Sequence, residues 1–303
     1  MNMKLMPIWE MSAKDTATGP KSKILVMAVN QEHRLLRQSL VRLMAVIIML
    51  GFSTSAAFAD GLAETATNPV GNLIQLQMQD AYNWSNYESD GYSNAAIIQP
   101  VIPVKLPWEA APLMISRTTV SAFVTTPDLG APVGRENGFG DIFQLTLVLP
   151  KLDTKGVLIG LGPALSIPTA SNDFTGSGKW EAGPAAIYFD SRIKGWQWGA
   201  LGWQVWSFAG DSDRQDVSKL SFQPILTRHF DEGWYAGAVD VPWTYNWETS
   251  NWVLPLGLKV GRVTHIAKQP VNLFAEVYGS PTNDGASPKW SFKLNLTFLF
   301  PKK

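Results

Sequence analysis

The sequence predicts an all-β protein: a transmembrane, antiparallel, up-and-down β-barrel of about twelve strands that follows a cleavable signal peptide. Three observations predict it. Short segments alternate apolar and polar residues at period 2, no stretch after residue 60 is apolar over the length of a membrane-spanning helix, and aromatic residues cluster near the ends of the predicted strands. The predicted domains are a leader over residues 1–59 and an outer-membrane barrel over residues 60–303.

The composition argues against several function classes. Charged residues make up 17% of the chain and the formal net charge is zero, so no nucleic-acid partner is expected. The absence of cysteine removes disulfides, thiolate nucleophiles and thiolate metal sites. Thirteen Trp, seven Tyr and fourteen Phe beside 25 Gly suit aromatic-rich strands joined by tight turns.

An apolar run over residues 44–52 has the features of a secretory signal peptide. It follows arginines between residues 34 and 42 and precedes Ala57-Phe58-Ala59, a small-residue cleavage motif. The alternative is a membrane anchor, but the run is too short to cross roughly 30 Å of hydrocarbon as a helix. We therefore predict cleavage after Ala59 and export. Residues 1–43 are longer than the usual n-region of a signal peptide, so an internal translation start such as Met27 stays open.

The first and last predicted strands show the alternation most clearly. Near the start, Gln75, Gln77 and Gln79 alternate with apolar residues. In the last strand one face is apolar and ends at Phe300, close to the end of the chain. By resemblance, a terminal aromatic of this kind is the signal read by the barrel-assembly machinery, which is the predicted partner. The apolar face of the last strand comprises Phe292, Leu294, Leu296, Phe298 and Phe300, and the polar face comprises Ser291, Lys293, Asn295 and Thr297.

The remaining strands complete the predicted barrel. Odd connections are mostly longer and polar and even ones are generally shorter, which is typical of outer-membrane barrels with both termini in the periplasm. Five prolines lie inside the predicted strands and predict bulges at some of them. These are Pro100, Pro163, Pro184, Pro224 and Pro255. The intervening strands are predicted at 95–104, 112–122, 140–150, 156–167, 180–190, 196–207, 217–228, 233–243, 252–261 and 270–279.

Tryptophans near the strand ends are interpreted as girdles at the membrane interface, the alternative being ordinary core or loop aromatics. They are Trp180, Trp196, Trp198, Trp234, Trp243, Trp252 and Trp290.

Several ordered blocks carry a family resemblance. They include Ile98-Gln99-Pro100-Val101-Ile102-Pro103, Gly162-Pro163-Ala164, Gly176-Ser177-Gly178-Lys179-Trp180 and Trp206-Ser207-Phe208-Ala209-Gly210. Together they resemble the outer-membrane family labelled as the MetA pathway of phenol degradation, whose members are also described as transporters or as neuromedin U. The resemblance runs over nearly all of residues 68–303. It implies a barrel in the outer membrane more firmly than it implies a substrate.

No catalytic, cofactor or metal site is predicted. Of the three histidines, His33 falls in the leader, and His229 and His265 fall at predicted periplasmic turns. Thr227 shares a face with His229, but that face points into the lumen, which is the wrong side for a lipid substrate. Two distant histidines without cysteine give no metal-ligand spacing. An enzyme is therefore not expected.

The predicted site is the lumen. Pairing is expected between neighbours among Asp240, Lys259, Glu276 and Lys293, which fall on successive strands. We expect Arg117 at a constriction or binding position, with Lys219, Asp240 and Glu276 as secondary members. The alternative is that Arg117 is paired with Glu276 or Glu181. If the apolar faces point to lipid, the inward residues are Gln75, Gln77, Gln79, Arg117, Thr119, Gln144, Gln204, Lys219, Gln223, Asp240, Lys259, Glu276, Lys293 and Asn295.

Such a lining predicts an outer-membrane channel or transporter for small, aromatic or amphipathic solutes. The alternative is a non-conducting structural or adhesive barrel with a salt-bridged interior, since barrels of this size lie between filled and open ones. The predicted partners are the outer-membrane lipid and a small-molecule solute.

Overall fold

The computed structural model describes residues 56–301, which form one α-helix, fifteen strand segments and a single 3-10 turn at Asp231–Gly233. The predicted leader up to residue 55 lies outside the described residues. Helix α1 crosses the predicted cleavage position, and no helix among residues 56–301 is long and apolar enough to cross a membrane. The elements are α1 (Ala56–Ala66), β1 (Ile74–Asn86), β2 (Ser93–Lys105), β3 (Leu113–Thr125), β4 (Asn137–Gly138), β5 (Ile142–Leu149), β6 (Val157–Ile167), β7 (Lys179–Asp190), β8 (Trp196–Gly210), β9 (Ser218–His229), β10 (Trp234–Ala238), β11 (Trp243–Asn246), β12 (Asn251–Val253), β13 (Leu256–Ile266), β14 (Gln269–Gly279) and β15 (Pro288–Phe300).

The strands form one closed antiparallel sheet, which confirms the predicted barrel of twelve strands. Three of the twelve barrel strands consist of two segments each, which is why there are fifteen segments. In these strands β4 precedes β5, β10 continues as β11, and β12 continues as β13. Closure comes from β1 and β15, which pair from Ile74 opposite Phe300 to Asn83 opposite Ser291. The two strands alternate in step, so Gln77 and Thr297 share the inner face and Leu76 and Phe298 share the outer face.

The two ends of the barrel differ in their connections. We call the end with residues 106–112, 150–156, 191–195, 230–233 and 267–268 the turn end, and the opposite end the loop end. The connections at the loop end are mostly longer, the longest being residues 126–141, which include the short β4. Residues 247–250 at the loop end are as short as a turn, so the predicted alternation of lengths is not strict.

The prolines and the register shifts lie at different places. Pro163 on β6 faces Pro184 on β7 directly across the ladder, and Pro224 faces Ala200 without a shift. The register shifts occur instead near Ser85, at Ala96/Ile97 and at Trp180/Glu181. Pro255 does interrupt its strand, because it lies in the break between β12 and β13.

The interior is apolar on one side and polar on the other. On β5, Leu145, Leu147 and Leu149 are buried inside, whereas Gln144 points outward and bonds to Ser116 and Thr118. The prediction that Gln144 faces the lumen is therefore wrong. Period 2 shows which residues share a face, but it does not show which face is inside. The apolar lining comprises Val101, Ile115, Leu145, Leu147, Leu149, Ala164, Ala185, Ile187, Phe189, Leu201, Val205 and Ile225.

Candidate functional site

A cavity of about 320 Å³ lies inside the barrel between the polar and apolar walls. Its polar lining comes from β1, β2, β3, β9, β13, β14, β15 and residues 239–242, and its aromatic lining comes from β5, β8, β10 and β14. The side chains that decide its chemistry are Gln75, Gln77, Gln79, Gln99, Arg117, Thr119, Phe143, Trp203, Gln223, Tyr235, Asp240, Lys259, Phe274 and Lys293.

Four glutamines form an amide ladder on β1 and β2, which we define as Gln75, Gln77, Gln79 and Gln99. The Nε2 of Gln79 donates to Gln77 Oε1 at 3.1 Å, and the Nε2 of Gln77 donates to Gln75 Oε1 at 3.2 Å. Gln99 Nε2 also donates to Gln77 Oε1, and Thr119 donates to Gln99. Residues two apart on a strand share a face, so alternate glutamines on β1 necessarily stack along the lumen.

The charged side chains on the polar wall form ion pairs. The sheet register places Lys259, Glu276 and Lys293 directly beside one another on β13, β14 and β15. Lys293 Nζ lies 2.7 Å from Glu276 Oε2, and Lys259 Nζ lies 2.6 Å from Asp240 Oδ1. Glu276 is fully buried and both lysines are nearly so. The pairing across strands that the sequence predicted is present.

Asp240 reaches the lumen because its strand is broken. Residues 239–242 separate β10 from β11, and Pro242 supplies no backbone N–H for a ladder bond. The N–H of Asp240 instead donates to Glu276 Oε1 at 2.7 Å. A lumenal carboxylate thereby replaces a ladder carbonyl, so the break and the charge cluster depend on each other.

Arg117 differs from the other lumenal cations. It lies over Trp203, with the guanidinium carbon 5.9 Å from the ring centroid, and Trp203 packs against Phe143 at 5.6 Å. Among the described residues it forms no ion pair and no hydrogen bond, and its Nε is shielded from solvent. The alternative that Arg117 pairs with Glu276 or Glu181 is wrong, because Glu276 is paired with Lys293 and no ion pair among the described residues joins Arg117 to Glu181.

The residues that follow the predicted cleavage position pack inside the turn end of the barrel. We call residues 61–73 the plug segment. Its Ala63, Ala66 and Leu73 are buried in a cluster with Tyr235, Val263 and Leu299 from the barrel wall. Residues 66–69 line the cavity, so the plug segment forms part of the cavity wall.

Hydrogen bonds hold the plug segment in the barrel. Gln197 Nε2 donates to the carbonyl of Glu64 at 2.6 Å, and Thr67 Oγ1 donates to Gln197 Oε1 at 2.8 Å. Thr67 also lies 3.2 Å from His229 Nε2, and Gln75 Nε2 donates to the carbonyl of Ala66. The amide ladder is thus continuous with the plug segment.

The predicted site residues fall into three groups. Gln75, Gln77, Arg117, Gln223, Asp240, Lys259 and Lys293 line the cavity. Glu276 is buried beneath Lys293, and Lys219 points inward beside Asn246, toward the loop end. Gln204 is a wrong prediction: it shares a face with the exposed Trp198 and Trp206, and its Oε1 accepts from Trp247.

Sequence reasoning missed two parts of the site. Phe143 and Trp203 line the cavity, although neither was among the residues predicted to face inward. The signal was available, because Trp203 has the opposite parity to Trp198 and Trp206. The plug segment was also missed; the small residues Ala63 and Ala66 at helical spacing are its signal.

The histidines take part in structural contacts. His229 at the end of β9 faces inward, as predicted from its parity, and contacts Thr67 and the ring of Tyr235. His265 lies beside the 267–268 turn. Within residues 56–301, no group of three or more His, Asp or Glu side chains is arranged to hold a metal ion.

A scan against known protein families finds no match, and a search of curated proteins finds none either. Among solved structures, the chain is similar to an outer membrane channel from Pseudomonas putida F1, with 15% identity and a TM-score of 0.56, over 75% of this chain and 94% of that chain. The likeness shows the barrel fold. Outer membrane phospholipase A from Escherichia coli also matches, with 10% identity over 76% of this chain and 90% of that chain, but its TM-score of 0.40 carries no argument.

We expect Glu276→Gln to lower the free energy of unfolding by about 3 kcal/mol, because it leaves Lys293 buried without its counter-charge. The measurement is urea unfolding in lipid vesicles, monitored by tryptophan fluorescence. The control is Glu232→Gln, which removes an exposed partner of Arg262 and should change little. The double variant Glu276→Gln with Lys293→Met should recover most of the loss, and a double variant as unstable as the single one would contradict the pairing.

Replacing Thr67 with Val and Gln197 with Ala should loosen the plug segment, because hydrogen bonds worth about 1 kcal/mol each are lost. The expected result is more frequent or larger current steps in planar bilayers than the unaltered protein gives. Ser191→Ala, in an exposed turn at the same end, is the matched control. Identical currents in the double variant and the control would show that these bonds do not hold the turn end closed.

Proposed function

We propose that the chain is an outer-membrane channel for small amphipathic solutes, aromatic ones among them. The observation that carries the proposal is the cavity, which has amides and charges on one wall and Phe143 and Trp203 on the other. A concave site with convergent polar groups and an apolar wall suits a small molecule that is part polar and part apolar. The resemblance to the phenol-pathway family and the similarity to an outer membrane channel also support the proposal of a channel.

The outer surface supports the membrane location. Leu256, Leu258, Val260 and Val277 are half-exposed or more and form a contiguous apolar patch on β13 and β14. Tryptophans lie near both rims: Trp84 stacks on Trp290 near the loop end, and Trp196, Trp198 and Trp234 are exposed near the turn end. An apolar band with aromatic girdles is typical of outer-membrane barrels.

Export and assembly are part of the same proposal. A leader cleaved after Ala59 would direct the chain across the inner membrane. The C-terminal strand β15 ends at Phe300, whose side chain is exposed on the outer face and pairs in register with Ile74 of β1. We propose that this strand is read by the barrel-assembly machinery before it closes on β1.

Conduction through this barrel requires the plug segment to move. It fills the turn end through Ala63, Ala66 and Leu73, while the cavity lies on its inner side. A solute that has entered the cavity therefore meets the plug segment before the periplasm. We propose that the structure is the closed state of the channel.

The second candidate is a non-conducting structural or adhesive barrel. The specific observation in its favour is the filled interior, with the buried pair Lys293–Glu276, the part-buried pair Lys259–Asp240 and an apolar cluster that includes Val70 of the plug segment. In that case the cavity is a packing void and the plug segment is permanent. The two candidates differ in whether current passes. We propose no catalytic role for either.

The first test is single-channel current of the purified protein in planar bilayers. We expect discrete steps, and we expect Arg117→Ala to shift ion selectivity toward cations, because the Arg117 charge in the lumen is removed. Lys155→Gln, which removes an exposed cation from a turn, should leave selectivity unchanged. Silence from correctly folded protein, including the Thr67→Val/Gln197→Ala double variant, would favour the structural barrel.

The membrane location is tested at the apolar band. Leu258→Arg should lower the free energy of unfolding in lipid vesicles by about 2 kcal/mol or more, because an arginine would face hydrocarbon. Leu152→Arg makes the same change in a turn and should cost little. Equal and small effects at both positions would mean that Leu258 does not face lipid.

A further inference from the structure

The charges that line the cavity, taken together with the buried Glu276, do not cancel. Arg117, Lys259 and Lys293 are cations, and Asp240 and Glu276 are carboxylates. Each carboxylate has its own lysine within 2.7 Å. Of these three cations, Arg117 is the one without an ion pair, so the cavity carries one unmatched positive charge.

Asp240 does not fill the role of partner to Arg117. It acts on Arg117 through space, but its Oδ1 is held by Lys259 at 2.6 Å and its backbone N–H is held by Glu276. A guanidinium presents five N–H donors in a planar fork that matches a carboxylate. Because the Nε of Arg117 is shielded from solvent, a guanidinium with unused donors at this position favours an anion.

The neighbouring polar groups add donors rather than acceptors. Each amide of the ladder carries two N–H groups, and Gln77 and Gln99 each use one of them on another glutamine. The Oε1 of Gln77 already accepts two hydrogen bonds, and Gln99 Oε1 accepts from Thr119. The groups left available are mainly N–H donors, which suits the oxygens of an anionic ligand.

An aromatic wall lies next to this donor set. Trp203 and Phe143 pack at 5.6 Å with their rings tilted by 42°, and the Arg117 guanidinium lies 5.9 Å from the Trp203 centroid. The cation and the ring surface are therefore neighbours. A ligand whose carboxylate is joined directly to a ring can reach both without a linker.

We propose that the cavity binds one small aromatic monocarboxylate, with Arg117 holding the carboxylate and Trp203 and Phe143 holding the ring. The cavity of about 320 Å³ is near the lower limit of small-molecule sites, so a single ring fits better than a fused system. Transport of this ligand rests on the proposed channel function, whereas its binding in the cavity does not require the barrel to conduct.

The test is isothermal titration calorimetry on the full-length protein purified in detergent micelles. The probes are benzoate, benzamide, which keeps the ring but not the charge, and cyclohexanecarboxylate, which keeps the charge but not the aromatic face. Benzoate should bind at least about tenfold more tightly than either, because only benzoate uses both the fork and the ring wall. Equal affinity for benzoate and benzamide, or for benzoate and cyclohexanecarboxylate, overturns the proposal, and so does no binding of any probe.

Variants locate the site. Arg117→Gln should weaken benzoate binding about tenfold and change benzamide binding less than about twofold, because only the charge-assisted bonds are lost. Arg117→Lys should recover part of the affinity, since it restores the charge without the fork. Lys155→Gln is the control. Loss of benzoate affinity in Lys155→Gln equal to that in Arg117→Gln would overturn the assignment to Arg117.

The outcomes for the site and for the channel are separable. Benzoate binding in micelles with no current in bilayers would leave the site standing and remove the channel. Current steps that benzoate does not block, together with no heat of binding, would leave the channel standing and remove the site. If Arg117→Gln does not fold, the three-probe comparison on the unaltered protein still decides the ligand class.

Discussion

The closure of β1 on β15 is the constraint on which the rest of the structure depends. In hydrocarbon every backbone N–H and C=O must bond within the protein, and a closed sheet leaves no unpaired edge. Once the sheet closes, its interior has a fixed width. The chain must then fill that width with apolar side chains, ion pairs or a further segment, and this barrel uses all three, the further segment being the plug segment.

The interior resolves this constraint differently on its two walls. On the apolar wall, Leu145, Leu147 and Ile187 pack as in a soluble core. On the polar wall, Lys259, Glu276 and Lys293 are neighbours in the sheet register, and each charge is compensated because an isolated charge in a shielded interior is costly. Arg117 lies over an aromatic ring where the two walls meet, and at this position its charge has no carboxylate partner.

The break at residues 239–242 and the plug segment show how irregular backbone is accommodated within a barrel. The N–H of Asp240 donates to Glu276, so this donor is not left unpaired where the strand is interrupted. The carbonyls of Glu64 and Ala66 are likewise bonded by Gln197 and Gln75. Side-chain amides of the inner wall thus replace the backbone hydrogen bonds of the sheet for the plug segment. The plug segment is therefore held by a few side-chain hydrogen bonds and not by strand pairing.

The sequence by itself determined the all-β class, the number of strands, the positions of most of them and the faces of β1 and β15. These follow from period 2, a local property of the chain that one strand shows alone. It also placed Gln75, Gln77, Arg117 and Lys293 on an inner face.

Only the tertiary structure decided which parity faces inward on β5 and β8, where Gln144 and Gln204 turned out to point outward. It also decided that Arg117 lacks a carboxylate partner, and that residues 61–73 fill the turn end. These depend on contacts between residues far apart in the chain. A barrel with an interior that is half apolar reverses the usual polarity on part of its wall, so hydropathy alone assigns those strands to the wrong side.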